Sequence, residues 1–234
     1  MVDFHTHILP AVDDGSKHIE QSLQMLECQQ AQGVRRVVLT PHFYPDIDRL
    51  DAFLERRQQA YDQLQQAGKD RGQFPELILG AEVAYYRGIS QSDVLKELTI
   101  GSTDYLLVEM PAGVWTDSMY QELKNIYRQH GIVPIIAHLD RYLSMFHTKG
   151  ILKQLADLPV LVQANARFFI EKRTRRTALK LLAQGSIDLL GSDCHNLDSR
   201  PPCLKEAYDV ILANLGEDAL RHLKKTEQNI LNFS

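Results

Sequence analysis

Short apolar runs with strand-forming composition alternate with amphipathic stretches from one end of the chain to the other. The runs predict strands over 2–5, 34–40, 77–83, 104–110, 132–138, 159–164 and 186–191. Most are continuously apolar rather than alternating, the pattern of parallel strands covered on the outside by helices. Between them, amphipathic spacing predicts helices over 17–32, 48–68, 90–98, 117–130, 147–157, 172–185 and 201–214, and one over 216–232 with a break near Thr226 and Asn229. Gly33, Gly131 and Gly185 each follow a helical stretch, where a left-handed residue is wanted. Seven such βα units fold either as a barrel or as an open doubly wound sheet, and both put functional residues at the C-terminal ends of the strands.

Six of the strands break their apolar pattern at that same end. His5-Thr6-His7 follows Val2–Phe4, His42 follows Val34–Thr40, His138 follows Ile132–Ile136, and Asp193-Cys194-His195 follows Ile187–Gly191. Leu77–Val83 carries Glu82 and Tyr105–Met110 carries Glu109. A carboxylate in an apolar strand is costly unless a charge offsets it. One shared counter-charge, a cluster of divalent ions, explains all six. Because nearly every strand contributes, a closed ring with a central mouth is expected rather than an open sheet with one crevice: a distorted (β/α)7 TIM-like barrel.

Two imidazoles two residues apart on a strand share a face and can bind one ion, and Asp13-Asp14 lie close enough to supply a carboxylate to a neighbouring one. Imidazole mixed with several carboxylates suits manganese, iron or zinc better than a thiolate-bound metal. Any one of these histidines is more often a hydrogen-bonded core residue than a ligand; the combination is what carries the signal. His18, His130, His147 and His222 stand in helical or solvent-facing contexts and are assigned no role. Nine candidate ligands suit about two or three ions, an arrangement typical of in-line displacement at phosphorus.

Bulk properties narrow the function further. The 234 residues fit one domain over 1–234, with 44% hydrophobic and 24% charged residues and a net charge of −4. That balance gives no broad cationic surface to track a nucleic-acid backbone. The N-terminus lacks a signal-peptide pattern, and no apolar run approaches the roughly 20 residues that span a bilayer. Cys28, Cys194 and Cys203 form no CxxC pair, which fits a reducing cytoplasm.

Arg141 and Arg200 follow His138 and His195 closely, where guanidinium groups would grip an anionic substrate; a salt bridge to Asp140 or Asp198 is the plainer role for each. Phe43-Tyr44-Pro45 and Trp115 form either a lid or aromatic wall, or simply pack their loops. Glu55-Arg56-Arg57 and Lys172–Arg176 read as solvated helix faces. Cys194 to Arg200 matches the C-x5-R pattern of cysteine-dependent tyrosine phosphatases. The segment lacks the glycines such a thiolate-cradling loop needs, and Cys194 should face away from its two neighbours, so the match is taken as coincidence.

The segments DFHTHILPAVDDG, TPHFYP, GAEV, LLVEMP, IIAHLDRY and GSDCHNLDSRPP, in order from residue 3 to 202, resemble the polymerase-and-histidinol-phosphatase superfamily. Within it they are most similar to the bacterial metal-dependent protein-tyrosine phosphatases encoded with capsule and exopolysaccharide genes. The resemblance implies three metals: His5, His7, Glu82 and Asp193 on the first, Glu82 bridging to a second completed by Glu109 and His138, and Asp14, His42 and His195 on the third. It assigns phosphate binding to Arg141 and Arg200. Ala11 and Asp140 depart from the usual pattern, at the DDG turn and beside Arg141.

The expected activity is therefore a manganese-preferring phosphotyrosine-protein phosphatase, using a metal-bridging hydroxide and no phosphoenzyme, with His42 or His195 assisting the leaving group through water. The expected partner is the tyrosine-rich tail of a bacterial tyrosine kinase that controls polysaccharide export. Helix 17–32 is a candidate surface for homo-oligomer contacts. The alternatives are a phosphatase for a small phosphomonoester such as histidinol phosphate and a metal-stabilised module without turnover.

Overall fold

A computed structural model describes residues 1–69, 71, 74–145 and 149–231. Nine strand segments run parallel: β1 (Val2–Thr6), β2 (Arg36–Leu39), β3 (His42–Phe43), β4 (Glu76–Leu79), β5 (Glu82–Ala84), β6 (Tyr105–Glu109), β7 (Val133–Ile136), β8 (Leu161–Asn165) and β9 (Leu189–Gly191). They form the rows β1-β2-β4 and β3-β5-β6-β7-β8-β9. The predicted strands 34–40 and 77–83 each break into two. Pro41 interrupts one and Gly80-Ala81 the other, yet Gly80 N still donates to Leu39 O and Glu82 N to Pro41 O, so the paired strands stay side by side. Counted that way there are seven strands. The ring closes where Thr6 bridges to Cys194 and Asp193 N donates to His5 O at 2.8 Å.

Residues alternate between two cores. Val2, Phe4, Val38, Leu107, Ile135, Ala137 and Leu189 fill the barrel interior, joined by Ile230 from the last helix. Val37, Leu39, Leu106, Val108, Ile136 and Leu190 face outward against the helices. Burying each such side chain contributes about 1.5–3 kcal/mol, which is why both faces of every strand read as apolar.

The helices are α1 (Ile19–Ala31), α2 (Leu50–Gly68), α3 (Asp117–His130), α4 (Leu139–Met145), α5 (Lys149–Ala156), α6 (Ala166–Ile170), α7 (Arg175–Ala183), α8 (Leu204–Leu215) and α9 (Glu217–Leu231). Among the described residues, no helix is long and apolar enough to cross a membrane. Three expectations need correction. Residues 90–98 form two short 3₁₀ turns, Ile89–Gln91 and Leu95–Leu98, because Ser92 turns extended between them and Ser and Asp compete for backbone groups. α9 runs unbroken through Thr226 and Asn229. The short helices α4 and α6 follow β7 and β8 directly and were not anticipated. His147 and the start of the predicted helix 147–157 lie outside the described residues.

Candidate metal centre

All nine candidate ligands meet at the C-terminal end of the barrel, and Glu82 is the hub. Its Oε2 lies 3.0 Å from His5 Nε2, 3.3 Å from His7 Nε2 and 3.1 Å from His42 Nδ1, while Oε1 lies 2.9 Å from His138 Nε2. Asp193 Oδ1 approaches His5 and His7 at 3.6 and 3.5 Å. Glu109 reaches His138 at 3.2 Å and His42 at 3.8 Å. The exposed Asp14 lies 3.3 Å from His195 and 3.6 Å from His42.

The local backbone explains how residues from separate strands converge. β1 bulges between Asp3 and Thr6, setting three residues against two of β2. The extra residue re-aims the chain, so His5 joins Phe4 on the inner side. Asp3 faces the other way and locks the seam: Oδ1 accepts from Ser192 N at 2.8 Å and Oδ2 from Gln29 Nε2 at 2.5 Å. On β3 and β5, His42 is paired in register with Glu82. His138 and Asp193 both hold left-handed backbone, at φ 31° and 53°, a conformation that costs on the order of 1–3 kcal/mol and persists where the surroundings over-determine it. Arg141 sits one helical turn beyond His138 because HLDRY opens α4, with Arg141 N donating to His138 O.

A ring of hydrogen bonds behind the cluster sets the imidazoles, and of its acceptors only Gln163 was not singled out in the sequence. His7 Nδ1 meets Asp13 Oδ2 at 2.6 Å, His5 Nδ1 meets Gln163 Oε1 at 3.2 Å, and His195 Nδ1 meets the Asp193 carbonyl at 3.0 Å. Each acceptor fixes the proton on Nδ1 and turns the Nε2 lone pair into the cluster, the usual support behind a metal-ligating histidine. Asp13 is half of the DD pair that the sequence pointed to, yet its place is behind His7. Burial opposes ionisation of Asp13, but the His7 imidazole and backbone N–H groups of Gly15 and His42 outweigh it and hold the carboxyl far below its usual range. Gln163 and Asn165 continue the support: Gln163 Oε1 accepts from His138 N at 2.6 Å, and Asn165 donates to Asp193 at 3.0 Å.

Do these residues fit divalent ions? Three side-chain atoms facing the cluster, His42 Nδ1, Glu82 Oε2 and His195 Nε2, are buried and make no hydrogen bond of good geometry among the described residues. Orphans of this kind are rare unless an ion completes them. Ligand atoms about 2.1 Å from a common ion stand at most about 4.2 Å apart, and the separations above all satisfy that. Three overlapping groups emerge: His5, His7 and Asp193; His42, Glu82 and Glu109; and His7, Asp14, His42 and His195. They differ from the three sets expected from the sequence: the first lacks Glu82, the second takes His42 in place of His138, and His7 joins Asp14, His42 and His195 in the third.

Both arginines form the salt bridge to an aspartate that is their plainer role, with Asp193 as the partner: Arg200 Nη2 at 2.6 Å and Arg141 through its own Nη2, each about one-third exposed at the mouth. Asp140 accepts from Asn165 N. Other secondary readings also resolve. Trp115 is buried, donates to Pro111 O and packs on Tyr120 and Tyr142, so it pins its loop. The charged runs are not merely solvated: Arg57 caps the Gly80 and Glu97 carbonyls, and Arg175 caps those of Phe169 and Ile170. Cys194 is fully buried behind the cluster, and burial with nearby Asp3 pushes its thiol well above its usual range, the opposite of a nucleophilic cysteine. His18 caps α1 and His130 binds Ser90 O.

Fold and site together define a parallel (β/α)7 barrel whose mouth suits a cluster of divalent cations. The chain belongs to the capsular polysaccharide synthesis family CpsB/CapC, which it matches over residues 1–232. It is 30% identical to the tyrosine-protein phosphatase CpsB of Streptococcus pneumoniae over 95% of this chain and 94% of that one. It is 28% identical to CpsB of Streptococcus agalactiae serotype III at the same coverage. Among solved structures it resembles one described with YwqE of Bacillus subtilis and CpsB of Streptococcus pneumoniae as unique metal-dependent tyrosine phosphatases, with TM-score 0.88, 25% identity and coverage of 100% and 96% of the two chains.

Proposed function

We propose that this protein is a metal-dependent tyrosine-protein phosphatase, with His5, His7, Asp14, His42, Glu82, Glu109, His138, Asp193 and His195 as metal ligands. The observation that carries the reading is Glu82, a fully buried carboxylate facing four imidazoles, with Asp193 beside it drawing two arginines to the rim. Divalent ions bound there, manganese by preference, supply Lewis acidity and an activated water for attack at phosphorus.

The chain's own residues do the rest. Arg141 and Arg200 bind the non-bridging phosphate oxygens and offset the charge that develops on them. Asp193 orients both guanidinium groups, and Asn165 steadies Asp193. Tyrosinate, with a parent pKa of about 10, leaves readily, so proton donation need only be modest. His195 in its neutral form has its proton committed to the Asp193 carbonyl, and both ring nitrogens of His42 face the ligand cluster, so the modest protonation falls to water rather than to either imidazole. Phosphotyrosine in the tail of a bacterial tyrosine kinase is the proposed substrate, and the cytoplasm, where Cys28, Cys194 and Cys203 stay reduced, the proposed compartment. Hydrolysis of a phosphotyrosine peptide with added manganese, set against a panel of small phosphomonoesters, tests the reading. Preferential turnover of histidinol phosphate would overturn it.

A further inference from the structure

Tyr44 follows β3 and stands beside the ligand cluster at the barrel mouth. Its ring stacks on His42 at a centroid distance of 5.0 Å and an interplanar angle of 26°, and His42 is its one ring neighbour among the described residues. The residue is 37% exposed. Its backbone is fixed: Tyr44 N donates to Asp48 Oδ2 at 3.0 Å, Tyr44 O accepts from Ile47 N and Asp48 N, and Asp48 in turn holds Arg56 of α2. The same end of the barrel also exposes Ile47, at 82%, and Val114, at 80%, on the loops after β3 and β6.

A mouth that holds both cationic anchors and a backbone-anchored, half-exposed aromatic shelf suits a ligand with one anionic and one flat apolar end. We infer that Tyr44 is the platform for the aryl ring of the substrate, setting the preference for aryl over alkyl phosphate esters. The inference rests on the phosphatase reading and adds to it the residue that selects the leaving group. An offset-stacked aromatic pair accounts for roughly 2- to 12-fold in affinity beyond the area it buries.

The probes are phenylphosphonate and methylphosphonate, whose P–C bonds resist hydrolysis, titrated by calorimetry into manganese-loaded protein. Wild type should bind the phenyl compound more tightly. Tyr44→Ala should weaken phenylphosphonate by about 2- to 12-fold and leave methylphosphonate unchanged, while Tyr44→Phe, which keeps the ring, should bind both like wild type. Equal losses for the two compounds, no loss for either, or a Tyr44→Phe defect as large as that of Tyr44→Ala would overturn the assignment. A wild-type protein that binds the phenyl compound no better than the methyl one would do the same. Failure of the underlying phosphatase reading shows separately, as wild type that does not hydrolyse phosphotyrosine peptides.

Discussion

Replacing Gly191 by alanine should open the barrel at the seam beside the metal centre. Gly191 ends β9, and a Cβ there would lie 2.5 Å from His5 Cβ, 3.0 Å from His5 N and 3.0 Å from Gln163 Nε2. Carbon atoms pack at about 3.5–4.0 Å, so β1 and β9 must separate by roughly 1 Å. Gln163 Nε2 is the end of a side chain and can give way, but the two His5 atoms are Cβ and backbone N, so no rotamer change relieves that part of the clash. Overpacking of this kind costs about 1–3 kcal/mol, occasionally more. At the upper end a chain of this size loses about 6–12 °C in melting temperature. His5 would move with the strand, and a 1 Å misplacement costs up to about 100-fold in rate. Thermal melts followed by circular dichroism, with and without manganese, read the first effect, and p-nitrophenyl phosphate turnover reads the second. Gly150, in the first turn of α5, is the control, because a Cβ there meets nothing within 4 Å; its alanine variant should be no less stable than wild type. A Gly191→Ala protein melting within about 2 °C of wild type, with wild-type metal content, would refute the close approach on which this geometry depends.

Asp13→Asn should leave the fold intact but lower metal affinity about 10- to 100-fold, read by titration with a chelating indicator; unchanged affinity would remove Asp13 from the support of His7. Cys194→Ser should retain turnover and chelation should abolish it, since Cys194 points away from the cluster; the reverse pattern would restore the cysteine mechanism. Asp188 tests the electrostatics away from the site. Burial raises its carboxyl above the ordinary 3.8, despite the Val162 N–H and His222. The folded state therefore holds the proton more tightly than the unfolded one. The Asp188 contribution is complete below 3.8 and lost as pH rises through the folded value. Asp188→Asn keeps an acceptor for Val162 N and removes the titration. Its stability relative to wild type should grow from pH 4 to pH 7, and a difference that stays flat would show that the carboxyl is not perturbed.

The strands and their ligands were legible because both rest on local pattern: apolar runs interrupted by histidine or carboxylate at one end. The seven-strand count followed from the same pattern. What the sequence hid is mostly non-local. The bulge that turns His5 inward depends on pairing with β2 and leaves no composition signature. Gln163 and Asn165 look like ordinary polar residues of β8 until His138 and Asp193 stand beside them. Asp13 was visible as one of two adjacent carboxylates, but only the reach of His7 decides which supports it and which stands beside His42 and His195. Arg57 and Arg175 carried too generic a charge pattern to separate a carbonyl cap from a solvated face. The stretch 90–98 failed because its apolar spacing suits a helix while Ser92 and Asp93 favour a turn, a local conflict that packing against α3 resolved. Ala11 is a departure with a physical reading: it holds φ 55° without a glycine's freedom, so the DDG turn bears strain that Ala11→Gly would relieve.

Elemental analysis of purified, phosphatase-active protein tests the central claim most directly, with Glu82→Gln analysed in parallel. The account predicts about two to three equivalents of transition metal per wild-type chain and a marked loss in the variant, because four imidazoles lose the carboxylate they share. Active wild-type protein containing well under one equivalent, or a Glu82→Gln variant with the full complement, would contradict it.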